Sequence, residues 1–378
     1  MKNLFPAAAT ALVFLLIPVS HAQNAFNEPT EEFMRAKAIS ATDEREDQNP
    51  EDNQRKIQTV QLRITSGRDK GKEFAVENVI LNGRSDMRIN EGETIIVRKI
   101  VKSDGSILYQ ASEKYRLPAI LWLGLFFLIL AILLGGWTGI SSIGGLAVSI
   151  LILTLYVVPK IAGGGNPLAA SLIGSFAIAC TSLYLAHGFT RRTSVALLST
   201  LVTLVIATAL SFIFVYLAKL FGMGSEESMF LQTGAFQNVN LRGLLLGGII
   251  IGCLGVLDDV TTAQTAAIDE IWKANPSIAT AQLWKAGMSV GREHIASLIN
   301  TLALAYAGAS LPLLLLFKLN DSYPLWVTLN SEFLAEEIIR TLVGSATLLF
   351  AVPISTWVAA NLLKGTDASS SAHGKHFH

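Results

Sequence analysis

The sequence predicts a polytopic α-helical membrane protein of about seven spans, with a small exported β domain toward its N-terminus. Three observations predict this. Of 378 residues, 51% are hydrophobic and 15% charged, and the mean hydropathy is +0.47. A soluble domain rarely carries so few charges, because charged residues cover its surface. From Leu117 onward, apolar runs of about 18 residues or more recur, each long enough to cross a hydrocarbon core of about 30 Å at about 1.5 Å per residue. Between residues 57 and 115 the pattern changes to short alternating runs separated by turn signals.

At the start, Lys2 precedes the apolar stretch LFPAAATALVFLLIPV and then SHAQ. A positive start, a short apolar core and small residues fit a signal peptide over 1–22, cut after Ala22. The alternative is an uncleaved first anchor helix. Either way the following residues are exported. Residues 23–56 read as a flexible charged tether with room for a short helix near EEFMRAKAI, because few large apolar residues follow Ile39. Residues 57–115 read as the β domain, compatible with a partial barrel: TVQLRI, GETIIVRKIV and ILYQAS alternate, and SGRDKGK, LNGRSD, NEGE and KSDGS break them. Partner recognition, a cap over the membrane portion and a plain spacer are all compatible with it.

Residues 116–364 form the membrane portion. Its spans are Leu117–Leu134, Ile140–Ile161, Leu168–His187, Val195–Leu220, Leu241–Leu257, Ile295–Phe317 and Ile338–Leu363. Lys and Arg gather on the cytoplasmic side of short loops. With the N-terminal domain outside, Arg191, Arg192, Lys273, Lys285, Arg292 and Lys364 all fall inside. The expected location is the bacterial inner membrane, N-terminal domain exported and C-terminus cytoplasmic. GGWTGISSIGG, AGGGNP, GGIIIG and AGAS supply small residues that let helices approach in lipid, which makes a homo-oligomer plausible. Residues 365–378 read as a disordered tail; its His373, His376 and His378 are compatible with metal gathering, and disorder is the preferred reading. Cys180 and Cys253 lie in apolar runs and read as packed thiols.

Two polar stripes stand out. In GVLDDVTTAQTAAIDEI, Asp258, Thr262, Thr265 and Asp269 follow helical spacing on one face, flanked by Thr261 and Gln264, which predicts an amphipathic helix that continues from the fifth span or folds onto the inner surface. Asp259 completes an acidic pair at the end of the fifth span, and Trp272 suits an interfacial anchor. In GREHIASLINTLALAYAGASLPLLLLF, Glu293, Ser297, Asn300 and Leu304 share a face beside that of His294, Leu298 and Thr301. The expectation is that both stripes face the inner surface and meet there. Retained carboxylates near hydrocarbon point to a partner: a cation, a proton or Arg292. The metal-ligand set drawn from them is Asp258, Asp259 and His294, oxygens and one imidazole suited to a divalent ion. The alternative is a hydrated interfacial loop. Glu336 and Glu337 read as solvated residues at a helix start.

These two stretches resemble the YibE/F-like family of bacterial membrane proteins, in LDDVTTAQ and NTLALAYAGASLPLLLL above all, over most of the chain. The resemblance implies a bacterial inner-membrane protein. It assigns no chemistry to Asp258, Asp259, Thr261, Thr262, Gln264, His294, Asn300 or Thr301.

The functional expectation is a transporter or channel for an ion or small solute, gated or coupled at this acidic, His and Asn cluster. The alternative is a scaffold or sensor that links the exported β domain to a cytoplasmic partner through the Val260–Arg292 segment. No HExxH, GxSxG or P-loop occurs, so no enzyme is expected. No cofactor beyond a bound cation is expected. Partners are the lipid bilayer, a second copy, or an exported or cytoplasmic protein. Dispersed basic residues give no nucleic-acid surface.

Overall fold

The structure is a computed structural model and describes residues 30–42, 45–46, 55–81, 87–102, 105–233, 238–312, 314–315 and 324–364. The predicted signal peptide and the His-rich tail lie outside these residues. The chain divides into two compact units with the boundary after Leu130.

In the first unit, β1 (Thr30–Ala41), β2 (Arg45–Glu46), β3 (Arg55–Ile64), β4 (Glu73–Leu81), β5 (Thr94–Val101) and β6 (Ile107–Lys114) form one antiparallel sheet. β3 pairs with both β4 and β1, β1 pairs with β5, and β5 with β6. Phe74 on β4 stacks on Tyr109 of β6 with centroids 4.4 Å apart. The two edges therefore approach, and the sheet curls into a partly open Greek-key barrel. Alternate residues fill it: Ala36, Ala38, Val60, Leu62, Val76, Ile95 and Val97 are buried. Gln58 is buried too, and satisfies its amide on Ile89, accepting from the backbone N–H at 3.0 Å and donating to the carbonyl at 2.9 Å. In the β3–β4 turn, Asp69 accepts from Lys72 and Lys99 at 2.5 Å each and from Tyr109 at 3.1 Å.

β1 corrects the tether reading and the short helix near EEFMRAKAI. Residues 30–41 are a central strand, with Met34, Ala36 and Ala38 turned inward. The period of two is present in the sequence. Small alanines between charges carry it, and alanine is the best helix former.

Helix α1 (Leu117–Ile152) begins before the unit boundary and is interrupted in the second unit at Gly136, whose φ of 55° and ψ of −136° only glycine adopts readily. A Cβ on Gly139 would sit 2.1 Å from the carbonyl oxygen of Ala131. Eight residues along an unbroken helix are about 12 Å apart, so the chain turns back sharply here. The break falls between the predicted spans Leu117–Leu134 and Ile140–Ile161. A π-helical stretch (Leu153–Val157) and α2 (Val158–Ala162) complete the segment.

There follow α3 (Pro167–His187), α4 (Arg191–Leu217), α5 (Glu226–Thr233), α6 (Leu241–Ala274), α7 (Thr280–Ala309), α8 (Leu325–Leu329) and α9 (Glu332–Leu362). Asn166, Thr190 and Asn240 cap α3, α4 and α6 by accepting from the N–H three residues on. Among the described residues, five helical segments are long and apolar enough to cross a membrane: Leu117–Ala162, α3, α4, α6 and α9. The predicted sixth span, Ile295–Phe317, is not among them. Its helix instead begins at Thr280, and residues 313 and 316–317 lie outside the described set.

Of the two expectations for the stretch after Leu257, continuation of the fifth span holds: one helix runs to Ala274, because the stretch buries Val260, Thr261, Gln264, Thr265, Ile268 and Asp269 along one face. The Val260–Arg292 segment is therefore a helical hairpin rather than a loop. Side-chain contacts give the directions. α3 and α9 run parallel to α6, through Ser182 with Asp258 and Thr356 with Gln264. α4 and α7 run antiparallel to it, through Thr200 with Thr261 and the Gly287 carbonyl with Gln264. One end of the bundle gathers Arg191 with the Leu362 carbonyl and Lys364 with the Ile278 carbonyl. The other gathers Leu220–Gly224 with Arg242, Glu332 and Glu336.

Candidate functional site

The acidic pair is central in its helix. Asp258 stands 16 residues after Arg242 and 15 before Lys273, which leaves about 23 Å of helix on either side at about 1.5 Å per residue. The helix does not end at Asp258 and Asp259: another four turns of packed helix follow them.

Asp258 points toward α3, where Ser182 Oγ donates to its Oδ2 at 3.1 Å. Its Oδ1 is buried, and no protein group among the described residues donates to it. Asp259, one residue on, is exposed. One turn further, Thr261 and Thr200 share a hydrogen bond of 2.6 Å, both fully buried. Gln264 Nε2 donates to the Gly287 carbonyl at 2.9 Å and to Thr356 Oγ1 at 2.8 Å, so one amide ties α6 to α7 and α9. Thr265 is buried and its hydroxyl has no partner among the described residues. Asp269 is buried beside Lys273 at 2.7 Å and Arg192 at 4.0 Å. Trp272 is half-buried rather than a free interfacial anchor, with a buried Nε1 that bonds to no described group.

Two open clefts flank this half of α6. One, of about 270 Å³, is lined by His187, Arg192, Thr193 and Thr262 among others. The second, of about 360 Å³, lies between Ala263, Gln264 and Ala267 of α6 and Val290, Glu293, His294 and Ser297 of α7. α7 comes close enough to form it because Gly287 and Gly291 face α6 and α9. A Cβ at Gly287 would reach 2.0 Å from Ile268 Cδ1, and one at Gly291 2.4 Å from Val352 Cγ1.

The structure brings Gln264, Glu293, His294 and Ser297 to one cleft and puts Thr262 on the other. Asn300 and Thr301 are exposed on α7; Asn300 bonds to no neighbouring helix among the described residues, and Thr301 donates to the Ser297 carbonyl of its own helix. The metal set of Asp258, Asp259 and His294 is not assembled. No group of three His, Cys, Asp or Glu side chains among the described residues is placed to hold an ion, because Asp258 turns to α3 while His294 faces the α6–α7 cleft.

Glu336 corrects a further expectation. It is 4% exposed rather than solvated, and accepts from the Gly224 N–H at 2.9 Å. One turn earlier, Glu332 Oε1 accepts from the N–H groups of Phe221, Gly222 and Met223 at 2.6, 3.0 and 3.2 Å. Sequence reasoning missed this clasp, and missed Ser182, Thr200, Arg192 and Thr356. The signal available was the helical spacing of small hydroxyls at Ser199, Thr200, Thr203 and Ser211, which marks a buried polar face without naming its partner.

A family model described as YibE/F-like protein matches residues 123–365. No curated protein and no solved structure matches the chain.

Proposed function

This chain belongs to the YibE/F-like family, and from that premise we propose that it is a transporter or channel that passes an ion or small polar solute, with Asp258 as the group that engages a proton or small cation. One observation carries the reading: a carboxylate at the midpoint of a 34-residue helix, where its apolar first half meets its polar second half, with one oxygen bonded to Ser182 and the other buried without a partner among the described residues. A charge near the centre of a membrane helix costs about 2.5–3.5 kcal/mol, and intramembrane carboxylates mark ion and proton paths. The Thr261–Thr200 pair, Gln264 and the two clefts extend polar surface from Asp258 toward the end of the bundle that holds Arg191 and Lys364.

The same reading sets seven spans in the bacterial inner membrane, the N-terminal domain exported and the C-terminus cytoplasmic. Support comes from loop charge, from the break at Gly136 and from the antiparallel alternation of α3, α4, α6, α7 and α9. It involves no catalytic step. A homo-oligomer fits the exposed small residues on the helices.

The test is flux into proteoliposomes. Asp258→Asn is expected to reduce flux at least tenfold. Undiminished flux would remove Asp258 from the mechanism. A second reading, a sensor coupling the exported domain to a partner, is favoured by the β barrel having its own buried core. Under it, deleting residues 30–114 abolishes signalling while leaving Asp258→Asn silent.

A further inference from the structure

We infer that the outward seam of α7 is the interface with a second copy of this chain, and that the two copies together roof the cleft lined by Glu293, His294 and Ser297. The inference deepens the homo-oligomer part of the reading above and is independent of what Asp258 carries.

The glycine face of α7 points inward: Gly287, Gly291 and Leu302 are buried, and Ile295 and Leu298 pack on the core. Its outward face carries a seam of polar and small residues, flanked by the exposed apolar side chains of Ile299 and Leu304. Glu293, Ala296, Asn300, Ala303 and Ala307 are spaced three, four, three and four, and all are exposed. That is a heptad seam with one amide at its centre.

The seam runs along the middle of the bundle. Leu302 lies in one core with Cys253 of α6, and the Tyr306 hydroxyl is 3.8 Å from where a Cβ of Gly344 would stand. Cys253 and Gly344 are each twelve residues into their helices. At such depth a side-chain amide facing lipid has no partner, and polar residues in spans face protein or a water-filled cavity; here a protein surface is the cover.

Two features favour a second copy as the cover. Asn300 offers both donor and acceptor, so across a twofold axis it pairs with itself and sets the register. Arg292 and Glu293 are adjacent, opposite in charge and exposed, and neither makes an ion pair among the described residues. A twofold axis beside them sets each arginine against the other copy's glutamate. The alanines let the helix backbones approach.

The test is disulfide crosslinking of the full chain in native membranes. Single variants Ala296→Cys, Asn300→Cys, Ala303→Cys and Ala307→Cys are compared with Ile299→Cys and Thr301→Cys, which lie about 100° to either side on the helix. The wild type, with Cys180 and Cys253, gives the baseline. Seam positions are expected to yield at least fivefold more dimer than the flanking two. Equal yields, or none at the seam, overturn the interface, as does crosslinking to a different polypeptide. Labelling of Asn300→Cys by a membrane-impermeant maleimide overturns it too, since the face is then wet. Subunit counting on the same membranes separates the failures. Monomers sink the oligomer altogether, whereas oligomers without the seam pattern sink this interface alone.

Discussion

Ser182 Oγ on α3 stands 3.1 Å from Asp258 Oδ2 on α6 and is the only described group that donates to that carboxylate. Two substitutions are therefore expected to act in opposite ways. Ser182→Ala removes a hydrogen bond to a charged group, which lowers stability by about 1.5–3 kcal/mol. Asp258→Asn removes a buried charge that is only half satisfied, so stability is held or raised while flux falls. Thermal unfolding in detergent checks both. An Asp258→Asn protein less stable than Ser182→Ala contradicts the geometry.

Close approach of α7 depends on Gly287. Gly287→Ala places a methyl against Ile268 Cδ1 and Thr356 Cγ2. Overpacking of this kind lowers stability by about 1–3 kcal/mol. Because Ile268 Cδ1 is the end of a side chain, adding Ile268→Val is expected to restore part of the loss. A double-mutant cycle on unfolding midpoints shows the coupling, and simple additivity would argue that the two residues do not touch.

The Glu332 clasp makes its own prediction. Glu332→Ala frees three N–H groups between Phe221 and Met223. Hydrogen exchange of those amides should rise at least tenfold, whereas Glu332→Gln, which keeps an acceptor oxygen, should raise it less. Unchanged exchange in the alanine variant would show that the loop is held elsewhere.

In the β barrel, hydrogen bonds from Lys72 and then Lys99, with a smaller one from Tyr109, hold the Asp69 carboxyl well below the usual carboxylate range, against the opposing effect of burial. A lowered folded-state pKa stabilises above the unfolded value of about 3.9 and loses that contribution as pH falls toward the folded value. Acidification below about pH 4 is therefore expected to loosen the β3–β4 turn, and Asp69→Asn to flatten that dependence. Limited proteolysis of the full chain by an acid-active protease reads the effect.

Part of this was legible in the residues. The alternation in TVQLRI and TIIVRKIV matches β3 and β5, and the apolar runs match α3, α4 and α9 within a few positions. These patterns are local and repeat the period of their own element. β1 escaped because its inward alanines favour a helix over a strand, and its strand character came from pairing with β3 and β5. The site was legible only as residue types. Asp258, Gln264, Glu293 and His294 stood out, yet their partners lie on other helices: Ser182, 76 positions away, and Thr356, 92 positions away.

By itself the sequence determined the membrane class, the presence of a β unit, the family and the polar character of α6 and α7, since composition and periodicity follow from what surrounds each segment. The tertiary structure alone decided that α6 continues past its aspartates, that Asp258 answers to α3 rather than to His294, and that Glu336 is buried. Those outcomes depend on which helices become neighbours and in what register, and interhelical packing of side chains from distant positions sets both.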